Sequence, residues 1–131
     1  MGDFPSPVPE IPVSNLDTAL EYYRDQLGFS VDWHEREIAL AGVSRGECRL
    51  FLSGASFRKG QGSFSPVVIW LNLNSRAEVD ALHREWHSRQ AIVMSEPESK
   101  SFGLHEFTAA DRDGNRFRVF YDFGTPQRQE M

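Results

Sequence analysis

A few groups of side chains in this 131-residue chain could do chemistry. His34 stands beside Glu35 and Glu37, His83 and His87 are spaced i,i+4, and His105 is followed by Glu106 in Phe102-Gly103-Leu104-His105-Glu106-Phe107. An imidazole near a carboxylate is the usual equipment for general acid and base work. Two His at i,i+4 share one helix face, but this pair lacks the intervening Glu that a metalloprotease helix carries, so its expected role is on a solvated or partly packed face. His105 and Glu106 are strand neighbours, which point to opposite faces and therefore do not act together. Cys48 sits in an apolar strand with nothing nearby to lower its pKa. No Ser, His and Asp arrangement that would activate a nucleophile is legible.

The elements that must position these groups follow from composition and period. The length suits one domain, and 10 Phe with 3 Trp argue for a packed core rather than disorder. A formal charge of -5 offers no basic surface for phosphates, so nucleic acid is not an expected partner. A single cysteine excludes an internal disulfide and a Cys-rich zinc site. No apolar run approaches the roughly 20 residues of a membrane helix, and residues 1–12 do not read as a signal peptide. Cytoplasmic localisation is the expectation.

Val8 to Val13 reads as a short strand whose Pro9 and Pro12 confine it to an edge or a subunit boundary. Leu16, Leu20, Tyr23 and Leu27 form a helical stripe, capped by Ser14 or Asn15 and closed by Gly28. Phe29, Val31 and Trp33 then alternate with Ser30, Asp32 and His34, and strands over 38–43 and 48–53 follow, with Gly42 and Gly46 at turns. Residues 54–65 are rich in Gly and Ser and read as a linker or mobile loop. The order then repeats. There is a strand over 66–73, a capping box in Ser75-Arg76-Ala77-Glu78, a helix with Val79, Leu82 and Trp86 inward, and strands over 91–95, 107–110 and 116–121. Asp113-Gly114-Asn115 suits the tight turn before the last strand. The expected architecture is α+β: one domain, 1–131, of two βαβββ modules over about 8–53 and 66–123 joined by loop 54–65, with helices on one side of a curved mixed sheet and a concave ligand cleft on the other.

Val13-Ser14-Asn15-Leu16, Tyr22-Tyr23-Arg24-Asp25-Gln26-Leu27-Gly28-Phe29 and the hairpin Asp111-Arg112-Asp113-Gly114-Asn115 resemble motifs of the vicinal oxygen chelate superfamily, which includes glyoxalases, bleomycin resistance proteins and dioxygenases. Val8 to Val13 and Phe102 to Phe107 are most similar to the bleomycin resistance branch. The hairpin departs from the pattern in carrying Arg112 where proline is usual, which puts its rigidity in question.

The resemblance implies where a metal would be held in catalytic relatives, and it assigns those positions to Val8, Phe51, Val68 and Arg118. None is a plausible ligand, and a guanidinium repels a divalent cation. The resemblance also implies a groove lined by Trp33, Ile38, Phe51, Trp70, Phe102 and Arg118, with Val68, Asn72, Arg116 and Phe120 on the same concave face and Phe102 as the ring that stacks on a planar ligand. These rings could alternatively be core. Glu106 is expected to brace its loop by accepting backbone or Arg hydrogen bonds. The implied protein is metal-free and cofactor-free, without catalytic residues. It would be a homodimer, with its first strand open to exchange, that sequesters a planar antibiotic of the bleomycin type. The competing reading is an enzyme, either a metal-dependent lyase, isomerase or dioxygenase acting on a small metabolite with donors such as Glu10, His105 and Glu106, or a metal-free relative.

Overall fold

The computed structural model describes residues 2–124. They form two compact units, one ending at Ser65 and the other beginning at Pro66, each with its own sheet and helix. The first contains β1 (Glu10–Pro12), α1 (Leu16–Asp25), β2 (Ser30–Glu35), a 3-10 turn over Arg36–Ile38, β3 (Leu40–Arg45) and β4 (Cys48–Ser53). Its sheet runs β1-β4-β3-β2, with β1 parallel to β4 and the other pairs antiparallel.

The helix starts where Asn15, not Ser14, caps it, its side-chain oxygen accepting from the Thr18 N–H at 3.1 Å. Its apolar stripe, Leu16, Ala19, Leu20 and Tyr23, is buried together with Ile11, Ala41, Val43, Leu50 and Leu52 from the strands. Each large side chain so buried contributes about 1.5–3 kcal/mol relative to exposure. Tyr23 and Phe29 meet edge to face at 5.6 Å, fixing the chain as it leaves the helix.

The second unit contains β5 (Val68–Asn72), α2 (Arg76–Ser88), β6 (Ile92–Val93), β7 (Glu98–Ser99), β8 (Leu104–Ala110) and β9 (Arg116–Asp122). Its sheet runs β5-β9-β8-β6, with β7 also paired to β8. Ser75 accepts from the Glu78 N–H at 3.1 Å, and the Glu78 carboxylate accepts from Asn74 at 3.2 Å, so the capping box closes one residue earlier than its usual form. Trp86 seats the helix, lying edge to face on Phe107 and Phe117 at 5.9 and 6.0 Å.

The α+β class stands, with one sheet per module; the first unit keeps the βαβββ order, and the second carries an extra short strand, running β5-α2-β6-β7-β8-β9. Several elements differ from their sequence reading. Val8 lies outside β1, and Ile38 lies in the 3-10 turn rather than in β3. The strand read over 91–95 is cut to two residues, and a separate β7 follows Pro97, which has no N–H to continue the ladder. Residues 54–65 begin as a run of hydrogen-bonded turns, and Arg58 folds back to donate to the Ser53 and Val13 carbonyls, the latter at 3.2 Å.

The hairpin between β8 and β9 does not depend on a proline at position 112. Asp111 Oδ1 accepts from the backbone of Asp113 and Asn115 at 2.9 and 3.0 Å, its Oδ2 accepts from the Asn115 side chain at 2.8 Å, and Asn115 Oδ1 accepts from Val67 N–H at 2.9 Å. One carboxylate thus ties the turn, and the turn is tied to the strand that β9 pairs with.

Gly42 is in mid-strand, not at a turn. A Cβ built there would stand 2.4 Å from Trp33 Nε1, so the indole lies directly on the glycine backbone. Gly42→Ala is expected to lower unfolding stability by about 1–2 kcal/mol, since overpacking outweighs the entropy gained by losing a glycine. In a Trp33→Ala background the same change should be neutral or stabilising. Denaturant unfolding of the four proteins of this cycle checks it, and equal costs in both backgrounds would refute the contact.

Candidate functional site

Each sheet has a face turned away from its helix, and cross-strand register dictates what stands there. On β5, β9 and β8 of the second unit, Trp70 is opposite Arg118 and Arg118 opposite Thr108, while Asn72 is opposite Phe120 and Phe120 opposite Glu106. Opposed residues share a face and lie close enough to interact. The guanidinium of Arg118 lies 5.4 Å from the Trp70 ring centroid, and its Nη1 is 3.5 Å from Thr108 Oγ1, the outer limit of a hydrogen bond. Phe120 meets Trp70 edge to face at 5.5 Å. Trp70 remains 52% exposed even with these neighbours, so this is an open aromatic and cationic platform rather than core.

Glu106 shares that face, and it does not behave as the loop brace the sequence suggested. Its Oε2 is buried and has no hydrogen-bond partner among the described residues. An orphaned buried carboxylate oxygen costs about 1–3 kcal/mol or more unless a donor reaches it.

On the first unit the corresponding row is Glu10, Phe51, Gly42 and Trp33. Strict alternation puts Trp33 on the same face as Val31, yet the register of β2 shifts between them. The extra residue, Asp32, accepts from Ser44 Oγ at 3.0 Å, and the shift carries Trp33 to the face away from α1. There it meets Phe51 edge to face at 5.1 Å, and Arg49 lies 6.0 Å from the Phe51 centroid. Two pairs of the expected groove residues are therefore assembled, Trp33 with Phe51 and Trp70 with Arg118. Ile38 stands apart in its turn, half exposed, and Phe102 is exposed in the loop before β8.

A cavity of about 330 Å³ in the first unit lies elsewhere, at the start of α1, lined by Ser14, Asn15, Asp17, His34, Arg36 and Ser56 among others. Asp17 holds Arg36 at 3.2 Å and approaches His34 at 3.9 Å, so the charges there are compensated from within. No motif in the sequence marks this cavity, because its walls come from four separated segments.

The other titratable candidates are dispersed. His83 is buried, edge-on to Phe107 at 5.2 Å and 3.5 Å from Glu96, while His87 is exposed beside it. His105 faces α2, where its Nε2 is 2.8 Å from Asp80 and its Nδ1 is 2.8 Å from Ser99 Oγ, on the opposite side of the sheet from Glu106. Burial pushes the Cys48 thiol pKa up, away from reactivity. Among the described residues no three His, Cys, Asp or Glu side chains converge as a metal-binding group. The four positions that the family resemblance assigns to metal ligands, Val8, Phe51, Val68 and Arg118, carry two valines, a phenyl ring and a guanidinium already placed over Trp70. A divalent metal does not fit that set.

Known proteins with this architecture are numerous. A structure from Nocardioides described as a glyoxalase/bleomycin resistance protein/dioxygenase superposes with a TM-score of 0.76 at 16% identity, covering 95% of this chain and 87% of its own. TioX from Micromonospora sp. ML1 gives 0.76 at 14% identity, covering 91% and 100%. A lactoylglutathione lyase from Agrobacterium tumefaciens gives 0.71 at 18% identity, covering 88% and 92%. At these identities the likeness is one of fold. No curated protein matches the sequence. The family model for the Glyoxalase/Bleomycin resistance protein/Dioxygenase superfamily matches residues 7–119, and the chain belongs to that superfamily.

Proposed function

We propose that this chain binds and sequesters a planar, partly aromatic small molecule without a metal, in the manner of the bleomycin resistance branch, with a bleomycin-type antibiotic as the ligand. The observation that carries the reading is the open platform of Trp70, Arg118, Phe120 and Thr108. It offers rings for stacking and a fixed cation for a carbonyl or anionic group, and places no acid and base together to transform what binds. Exposed Phe102 is a further ring of the second unit, and in the first unit the residues proposed for the ligand are the Trp33–Phe51 pair and Ile38.

A metal-dependent enzyme would need donors such as Glu10, His105 and Glu106 to converge. His105 and Glu106 occupy opposite faces of β8, and His105 is committed to Asp80 and Ser99. We further propose that the protein is a homodimer in which the first strand is open to exchange. This rests on β1 being a three-residue edge strand containing Pro12, with Pro9 just before it.

Titration of the apo protein with metal-free bleomycin should quench tryptophan emission saturably, and Phe102→Ala and Trp70→Ala should each weaken binding by about 1–3 kcal/mol. Absence of a saturable change removes bleomycin as the ligand. Protein purified without chelator should contain no stoichiometric Ni, Fe, Mn or Zn by elemental analysis, and a full equivalent of any of them restores the enzyme reading. Sedimentation equilibrium should give the mass of two chains, a result that a monomer at micromolar concentration would contradict.

A further inference from the structure

On the helix side of the second sheet, three side chains from separate elements form one hydrogen-bonded line. Asp80 comes from α2, His105 from β8 and Ser99 from β7, and both links are 2.8 Å. The directions of these bonds follow for a neutral imidazole beside a carboxylate. An ionised Asp80 only accepts, so it takes the proton on Nε2, which leaves Nδ1 bare to accept from the Ser99 hydroxyl. That is the order of a nucleophile, its base and the group that orients the base, at distances within the 2.6–3.2 Å typical of activated serines.

The surroundings suit the same role. His105 is buried, which holds the imidazole still, while Ser99 is exposed, so a substrate can reach the hydroxyl. Arg76 Nε lies 3.4 Å from Ser99 Oγ, too long for a strong bond but close enough to place a positive charge near the carbonyl oxygen of a substrate attacked by that atom. The Arg76 guanidinium is itself seated on the Phe123 ring at 4.1 Å. Gly103 and Gly124 let the flanking chains cross, since a Cβ on Gly103 would stand 2.8 Å from Gly124 Cα.

We propose that Ser99 is an acyl-accepting nucleophile activated by His105 and Asp80, and that this site cleaves small carboxylic esters by acyl transfer. Ser99 Oγ bonds to the carbonyl carbon as its proton passes to His105 Nδ1, and Asp80 balances the imidazolium through Nε2–H. The oxyanion forms beside Arg76. Its collapse breaks the ester C–O bond, and the departing alcohol takes the proton from Nδ1. Water then repeats the sequence on the acyl-serine, releasing the carboxylic acid and regenerating the hydroxyl. This site is independent of the ligand platform, which lies on the other face of the sheet.

The test is covalent labelling of the full-length protein with a fluorophosphonate, adduct sites being mapped by peptide mass spectrometry, together with release of p-nitrophenol from p-nitrophenyl acetate. The expected result is an adduct on Ser99, lost in Ser99→Ala, with labelling rate lowered at least tenfold in His105→Gln and in Asp80→Asn. Because His105 is buried and its replacement could unfold the chain, Asp80→Asn, on a half-exposed side chain, decides the question if His105→Gln does not fold. Ser99 left unlabelled, or labelled at the same rate in a folded Asp80→Asn protein, overturns the proposal. Bleomycin titration of Ser99→Ala should match wild type, so failure here is separable from failure of the ligand reading.

Discussion

The register of β9 is the constraint on which the second unit depends. β9 lies between β5 and β8, parallel to one and antiparallel to the other, so a slip of one residue would turn every side chain it carries to the wrong face. Asp111 and Asn115 prevent that slip from one end. The carboxylate fixes the turn that sets β8 against β9, and the amide reaches Val67 at the start of β5, so both pairings are indexed to the same few atoms. The meeting of Trp70 with Arg118, and the burial of Phe117 and Val119 on the opposite side, are both downstream of that clasp.

Arg118 shows how one side chain redirects a scaffold. An acidic residue there would draw a cation and favour chemistry on oxygen ligands. A guanidinium cannot lose its charge in the accessible pH range, and its flat face prefers an aromatic surface, so Trp70 and Arg118 make each other useful. The same sheet thus keeps its two faces chemically distinct, with rings and a fixed charge on one and the hydrogen-bonded line of Asp80, His105 and Ser99 on the other.

Both helices are legible in the sequence because a 3.6-residue apolar stripe and a capping residue agree at each; Gly28 also marks the end of α1, whereas α2 ends without a glycine and Gln90 takes the positive φ. The strands are legible as elements but not in their limits, since β1, β6 and β7 are two or three residues long and carry little period of their own. Trp33 shows where periodicity misleads. Period two places it with Val31, and only the shift at Asp32, invisible as a pattern, moves it beside Phe51. Its groove assignment came from family likeness, not from alternation. The link from Asp80 through His105 to Ser99 is unreadable from spacing because its members are on three elements whose proximity exists only after β7 pairs with β8. Glu106 was legible as a residue of interest, but its lack of a donor is a property of packing.

The contact between Gly42 and Trp33 couples two positions on different strands. The indole occupies the volume that a β-carbon at position 42 would need, so the effect of a change at either position depends on what stands at the other. A side chain at position 42 presses on the ring at position 33, and through it on the edge-to-face partner Phe51. The absence of a side chain is as much a part of that surface as the ring resting on it.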